Sequence, residues 1–139
     1  MKIIVISSCD LIKEGIISVI SKDENVSVQF TCGTVKEAMF MIKGRVADVI
    51  VLDIHEDNEF ELDAIIEITA LGTSIKLILL DFCGSSKLFI KALKYRVQGY
   101  IFGESNEEEI RYAINQVYEG KKYYDSHFID CIINENLYY

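Results

Sequence analysis

Ala47-Asp48-Val49-Ile50-Val51-Leu52-Asp53, followed at once by Ile54-His55-Glu56-Asp57-Asn58-Glu59-Phe60-Glu61, is the stretch that decides the fold. An unbroken apolar run of this length reads as a strand buried on both faces, the habit of parallel sheets. Asp53 closes the run. In open α/β sheets the carboxyl ends of the strands are where ligands and chemistry gather. The following loop carries four more acids and neither lysine nor arginine.

Strand-like and helix-like segments alternate on both sides of this run. Lys2–Ser7 is a short apolar strand, and Leu11–Ser21 has its apolar residues at helical spacing. Val26–Cys32 alternates apolar and polar residues, which suits a strand near a sheet edge. Thr34-Val35-Lys36-Glu37 is a capping box that opens a helix to about Lys43. Then come a helix over Glu61–Ala70, a strand over Lys76–Leu80 and a helix from Ser85 or Ser86 to Tyr95. Gln98–Phe102 is the fifth strand. Ser105-Asn106-Glu107-Glu108 is a second capping box, and Gly120 ends the helix it opens. The pattern predicts a doubly wound, five-stranded parallel sheet of order 2-1-3-4-5 with helices on both faces. Residues 1–122 form that domain. Residues 123–139 form a C-terminal segment whose stripe of Phe128, Ile129, Ile132 and Ile133 predicts an extra helix, packed on the domain or continuing as a linker. The ending Asn136-Leu137-Tyr138-Tyr139 reads as a cut or an abrupt stop.

Composition narrows the function. The chain has 139 residues, enough for one core, and a net charge of −8. So acidic a segment makes a poor partner for nucleic acid by itself, because phosphate contacts need a basic face. No apolar run is long enough to span a membrane. The four cysteines have no metal-binding spacing and read as reduced cytosolic thiols, which predicts a cytoplasmic protein.

Residues just past each strand should share one rim: Ser7, Ser8, Cys9 and Asp10; Asp53; Asp81, Phe82 and Cys83; Gly103 and Glu104. Four segments then carry a resemblance. They are Asp10–Gly15, Ala47–Asp53, Ala92–Ile101 and Ile110–Gly120. In order and spacing the chain resembles a response-regulator receiver domain, CheY-like and of the LuxR/NarL type. The resemblance implies a flavodoxin-like fold and a site of five positions. An acidic pair after strand one holds Mg²⁺, an Asp after strand three accepts phosphate, a Thr or Ser follows strand four, and a Lys follows strand five. Asp53 matches the phosphoacceptor. The acidic pair falls on Ser7 and Ser8, the hydroxyl on Asp81, the small residue after it on Phe82, and the lysine on Gly103. The family's Met-Pro-Gly-type loop falls on Glu56-Asp57-Asn58, and Tyr100 matches the aromatic that swings on activation.

The resemblance therefore implies an atypical receiver with a vestigial phosphoacceptor. Two serines are weak Mg²⁺ ligands, and a phosphoryl group bringing about −1.5 to −2 charge would meet further acids. The expected function is protein–protein interaction or homodimerisation within a two-component pathway, with no catalytic residue and no cofactor. Such a domain would serve as the regulatory part of a DNA-binding regulator. The alternative is a conventional receiver, phosphorylated on Asp53 by a histidine kinase through Mg²⁺, with Asp53 and Asp81 as a weak metal pair. A thiol redox sensor through Cys9, Cys32 and Cys83 is the alternative of another class. Asp81 is expected either to donate a hydrogen bond that holds the rim in one state or to lie exposed on its loop. Tyr100 is expected to be a half-buried strand tyrosine or a reporter of the rim. Lys87, Lys91 and Lys94 on one helix and Glu107, Glu108 and Glu109 on the next suggest a charge-registered dimer or two solvated faces. The imidazoles of His55 and His127, far apart in sequence, add little.

Overall fold

The computed structural model describes residues 1–55, 59–84 and 86–137. Glu56-Asp57-Asn58, Ser85, Tyr138 and Tyr139, which the sequence reading used, lie outside the described residues. The elements run β1 (Lys2–Ile6), α1 (Asp10–Ile20), β2 (Ser27–Cys32), α2 (Val35–Lys43), β3 (Val49–Ile54), α3 (Glu59–Ala70), β4 (Lys76–Asp81), α4 (Ser86–Lys94), β5 (Gly99–Phe102), α5 (Glu107–Tyr118), β6 (Tyr123–Tyr124) and α6 (Ser126–Leu137).

The sheet has six strands in the order β2-β1-β3-β4-β5-β6, each pair parallel, so the expected five-stranded sheet is corrected by one strand. The added strand is β6. Gly120, at φ +97°, turns the chain out of α5. The amide of Tyr123 then donates to the Gln98 carbonyl at 2.9 Å, and that of Asp125 to the Tyr100 carbonyl at 2.9 Å. Two residues are too few to show a period of two, so sequence patterning could not see this strand.

Strand alternation separates two apolar layers. Ile4, Ile6, Ile50, Leu52, Leu77 and Leu79 face α2, α3, α4 and α6. Ile3, Val5, Val49, Val51, Ile78 and Leu80 face α1 and α5. Every residue of β3 is buried, which accounts for its unbroken apolar sequence. β3 also runs one residue past Asp53, because Ile54 still pairs with Asp81. Asp53 is thus the penultimate residue of the strand, not its last.

Both expected helix starts are capped, one by a neighbour of the expected residue. Thr34 accepts the Glu37 amide at 3.3 Å. At α5 the cap is Asn106, which accepts the Glu109 amide at 2.9 Å. Ser105, expected to be the cap, is released for another bond: its hydroxyl donates to Asp125 Oδ2 at 2.8 Å. Asp125 in turn caps α6, accepting the His127 amide at 3.0 Å on Oδ1.

Candidate functional site

The parallel register brings the ends of β1, β3, β4 and β5 to one rim. Ser7 and Asp53 meet there directly. Ser7 is 1% exposed, and its hydroxyl donates to Asp53 Oδ2 at 2.8 Å. Ser8 is exposed and instead lines a cavity of about 390 Å³ on the α2–α3 side, with Gly33, Thr34, Lys36, Asp63 and Glu67. The two serines therefore do not act as a pair toward Asp53.

Asp53 is 1% exposed. Among the described residues its Oδ1 has no hydrogen-bond partner. Its Oδ2 also lies 3.1 Å from His55 Nε2. Burial pushes the Asp53 carboxyl above its ordinary value of 3.8; the Ser7 hydroxyl and His55 pull it back, and the charge of Asp81 adds to the rise. His55 is thus a partner of the carboxylate, contrary to the expectation that it adds little. The signal was available: residues two apart at a strand end lie on the same side of the chain.

Asp81 corrects both of its expectations. It is 0% exposed, so it is no loop-surface acid, and its oxygens accept rather than donate. Oδ1 accepts the amides of Cys83 at 2.8 Å and Gly84 at 3.2 Å. Oδ2 accepts the Tyr100 hydroxyl at 2.6 Å. Tyr100 is also 0% exposed, more enclosed than expected. Its ring packs edge-on to Phe128, centroids 4.7 Å apart, and against Phe89 at 5.1 Å.

Phe82 and Gly103 form a second pair that the sequence did not reveal. A β-carbon built on Gly103 would lie 2.3 Å from Phe82 Cδ1 and 2.4 Å from its Cγ. The Phe82 ring therefore fills the space in which a side chain at position 103 would begin. Gly103→Lys is expected to lower stability by about 1–3 kcal/mol through overpacking. Combining it with Phe82→Ala should cost less than the sum of the two single changes. Urea denaturation of the four proteins checks this, and strict additivity would remove the contact.

The thiols are spread in exposure. Cys83 is exposed, Cys9 and Cys131 are intermediate, and Cys32 is buried. Burial raises the Cys32 thiol pKa, and the charge of Glu37 adds to it. Of the dimer charges, Glu107 is engaged within the chain by Lys22 and by Arg111 at 3.5 Å. No group of three or more His, Cys, Asp or Glu residues able to hold a metal is found among the described residues. No described helix is long and apolar enough to cross a membrane.

A parallel sheet of this order with helices on both faces is the flavodoxin-like α/β fold that receiver domains share. No family model matches the chain. It is similar to oxygen regulatory protein NreC of Staphylococcus epidermidis, at 25% identity over 136 residues, 97% of this chain and 62% of that protein. It is also similar to transcriptional regulatory protein DesR of Bacillus subtilis, at 28% identity over 118 residues, 85% of this chain and 58% of that one. The chain thus spans about three fifths of the length of these curated relatives, 62% and 58%. Among solved structures it superimposes on a LuxR-family two-component response regulator from Aurantimonas sp. SI85-9A1, with TM-score 0.88 and 18% identity over 98% of this chain and 97% of that one. The receiver domain of NarL from Mycobacterium tuberculosis gives TM-score 0.78 and 19% identity over 86% and 97%. The chain is thus similar to these regulators over the part of them that it covers, and it shares the fold of the response-regulator receivers among the solved structures.

Proposed function

We propose that this receiver signals through the surface it presents to a protein partner or a second copy, without Mg²⁺-dependent phosphorylation of Asp53. The observation that carries this reading is the Phe82 ring seated over Gly103, where the family's counter-cation would emerge. A phosphoryl group adds about −1.5 to −2 charge, and its transfer needs a metal and a cation to hold that charge. Here Ser7 and Ser8 replace the acidic pair, and Asp81 is engaged by Tyr100 and by its own loop. Asp53 is then a vestige of the phosphoacceptor, tied down by Ser7 and His55.

Residues 1–122 are the receiver unit in this reading, and 123–139 the segment that leads toward an output domain. That output would be the DNA-binding part of a cytoplasmic transcription regulator, with a histidine kinase as one candidate partner. The domain itself carries no catalytic residue and takes no cofactor. The conventional alternative would route phosphate to Asp53 with Asp81 as second metal ligand, and the commitments of both Asp81 oxygens count against it. The thiol-sensor reading needs a ready thiolate, which burial opposes at Cys32.

The test is intact mass after incubation with Mg²⁺ and acetyl phosphate. The expected spectrum holds the unmodified mass only. A gain of one phosphoryl group that disappears in Asp53→Ala would overturn the reading.

A further inference from the structure

Ser8 lies off the Asp53 rim and lines the cavity between α2 and α3 instead. The sheet order reverses between β1 and β3: β2 lies beyond β1, and β4 lies beyond β3. In a doubly wound sheet, ligands bind in the crevice outside the strand ends at that point. Here the crevice widens on the α2–α3 side to about 390 Å³, within the range of small-molecule pockets. Its apolar wall is Ile6 from β1, Leu52 from β3, Val35 from α2 and Ala64 from α3. Asp53, the next residue of β3, points to the opposite face by strand alternation and does not line the cavity. The two helices line it with charges of opposite sign. Lys36 stands on α2, and Asp63 and Glu67 stand one turn apart on α3. All three are exposed, and none of them forms an ion pair among the described residues. The two acids repel each other at this spacing, and Lys36 makes no bridge to them across the opening. The α2 wall favours anions further. Thr34 takes the Glu37 amide, while the amides of Val35 and Lys36 precede the first intrahelical bond.

We propose that this cavity is a binding site for a small apolar zwitterion, the chemistry of an apolar amino acid or a short apolar peptide. The ligand's ammonium lies toward Asp63 and Glu67. Its carboxylate lies toward Lys36 and the first turn of α2, and its apolar body covers Ile6, Val35, Leu52 and Ala64. Other ligand classes fit the same walls less well. A wholly apolar molecule would leave the three charges unanswered, and a simple anion would face two acids. A bare cation would leave the apolar wall uncovered. An occupied site would tie α2 to α3 and give the domain an input that does not pass through Asp53. The proposal goes beyond the preceding reading and does not depend on whether Asp53 takes a phosphoryl group.

Titration of the isotope-labelled full chain with L-leucine and with the dipeptide leucyl-leucine tests it, read as backbone amide shifts. Saturable shifts are expected at Ser8, Gly33–Lys36 and Asp63–Glu67 with at least one probe, and the probe that binds tells amino acid from peptide. The N-acetylated and the amidated form of that probe each lack one charge. Each should bind about tenfold more weakly, the loss of one hydrogen bond to a charged group. Lys36→Gln should weaken the zwitterion by a similar factor and leave the amidated form unchanged. Asp63→Asn combined with Glu67→Gln should weaken it likewise and leave the N-acetylated form unchanged. All three side chains are exposed, so these variants keep the fold. No saturable shift with either probe up to about 10 mM, tenfold above a constant of about 1 mM, would overturn the proposal. So would shifts centred elsewhere, or equal binding by the charge-deleted probes. Phosphorylation of Asp53 shows in the intact mass and not in this titration, so the two ideas fail separately.

Discussion

Phe89→Ala lowers the free energy of unfolding by about 3–5 kcal/mol, the range for truncating a buried phenylalanine. Phe89 is 2% exposed and comes from α4. Its ring lies 5.1 Å from Tyr100 on β5, 5.7 Å from Tyr124 on β6 and 5.5 Å from Phe128 on α6. The substitution removes ring contacts to three elements at once. The cavity cannot collapse easily, because β5 is held in the sheet and Tyr100 is pinned to Asp81. Urea denaturation reads the change as a lower midpoint with an unaltered slope. A loss under about 1 kcal/mol would mean that these rings do not form one packed cluster.

Asp53→Asn raises stability at neutral pH by about 1–3 kcal/mol, because an ionised carboxylate with an unmatched buried oxygen carries a desolvation cost. The sign of the pH dependence follows from the raised pKa of this acid. A folded pKa above 3.8 means that the folded protein binds the proton more readily than the unfolded chain does. The contribution of Asp53 is therefore favourable below 3.8 and is lost as pH rises through the raised value. The gap between wild type and Asp53→Asn should close toward acid and widen toward neutral pH. Denaturation midpoints of both proteins across that range measure it. A wild type that gains on the Asn variant as pH rises would contradict the direction of the shift. Ser7 and His55 work against the cost and keep it from being larger.

Much of this molecule was legible along the chain, for reasons particular to each segment. The β3 run was readable because a strand covered on both faces leaves no polar position in its sequence. The start of α2 was readable because Thr34 and Glu37 interact within one turn. The α5 start was misread by one residue because Ser105 and Asn106 are both good caps, and only the distant Asp125 decides between them. β6 was missed because its hydrogen bonds go to residues in β5 and its own two residues carry no pattern. The site followed the same division. Its rim could be placed, but its pairings could not. His55 beside Asp53, Tyr100 bonded to Asp81 and Phe82 packed over Gly103 join residues by side-chain direction.

The sequence by itself determined the alternation of strands and helices, the rim and the positions at which it departs from the receiver pattern. These rest on local periodicity and on residue identity, which the chain carries at each point. Only the tertiary structure decided that Asp81 points toward Tyr100, that a phenylalanine ring takes the space of a missing side chain, and that α6 closes over α4 and β5. Those outcomes depend on packing among segments up to 39 residues apart, as with Phe89 and Phe128, and packing selects one rotamer from several that the sequence allows equally.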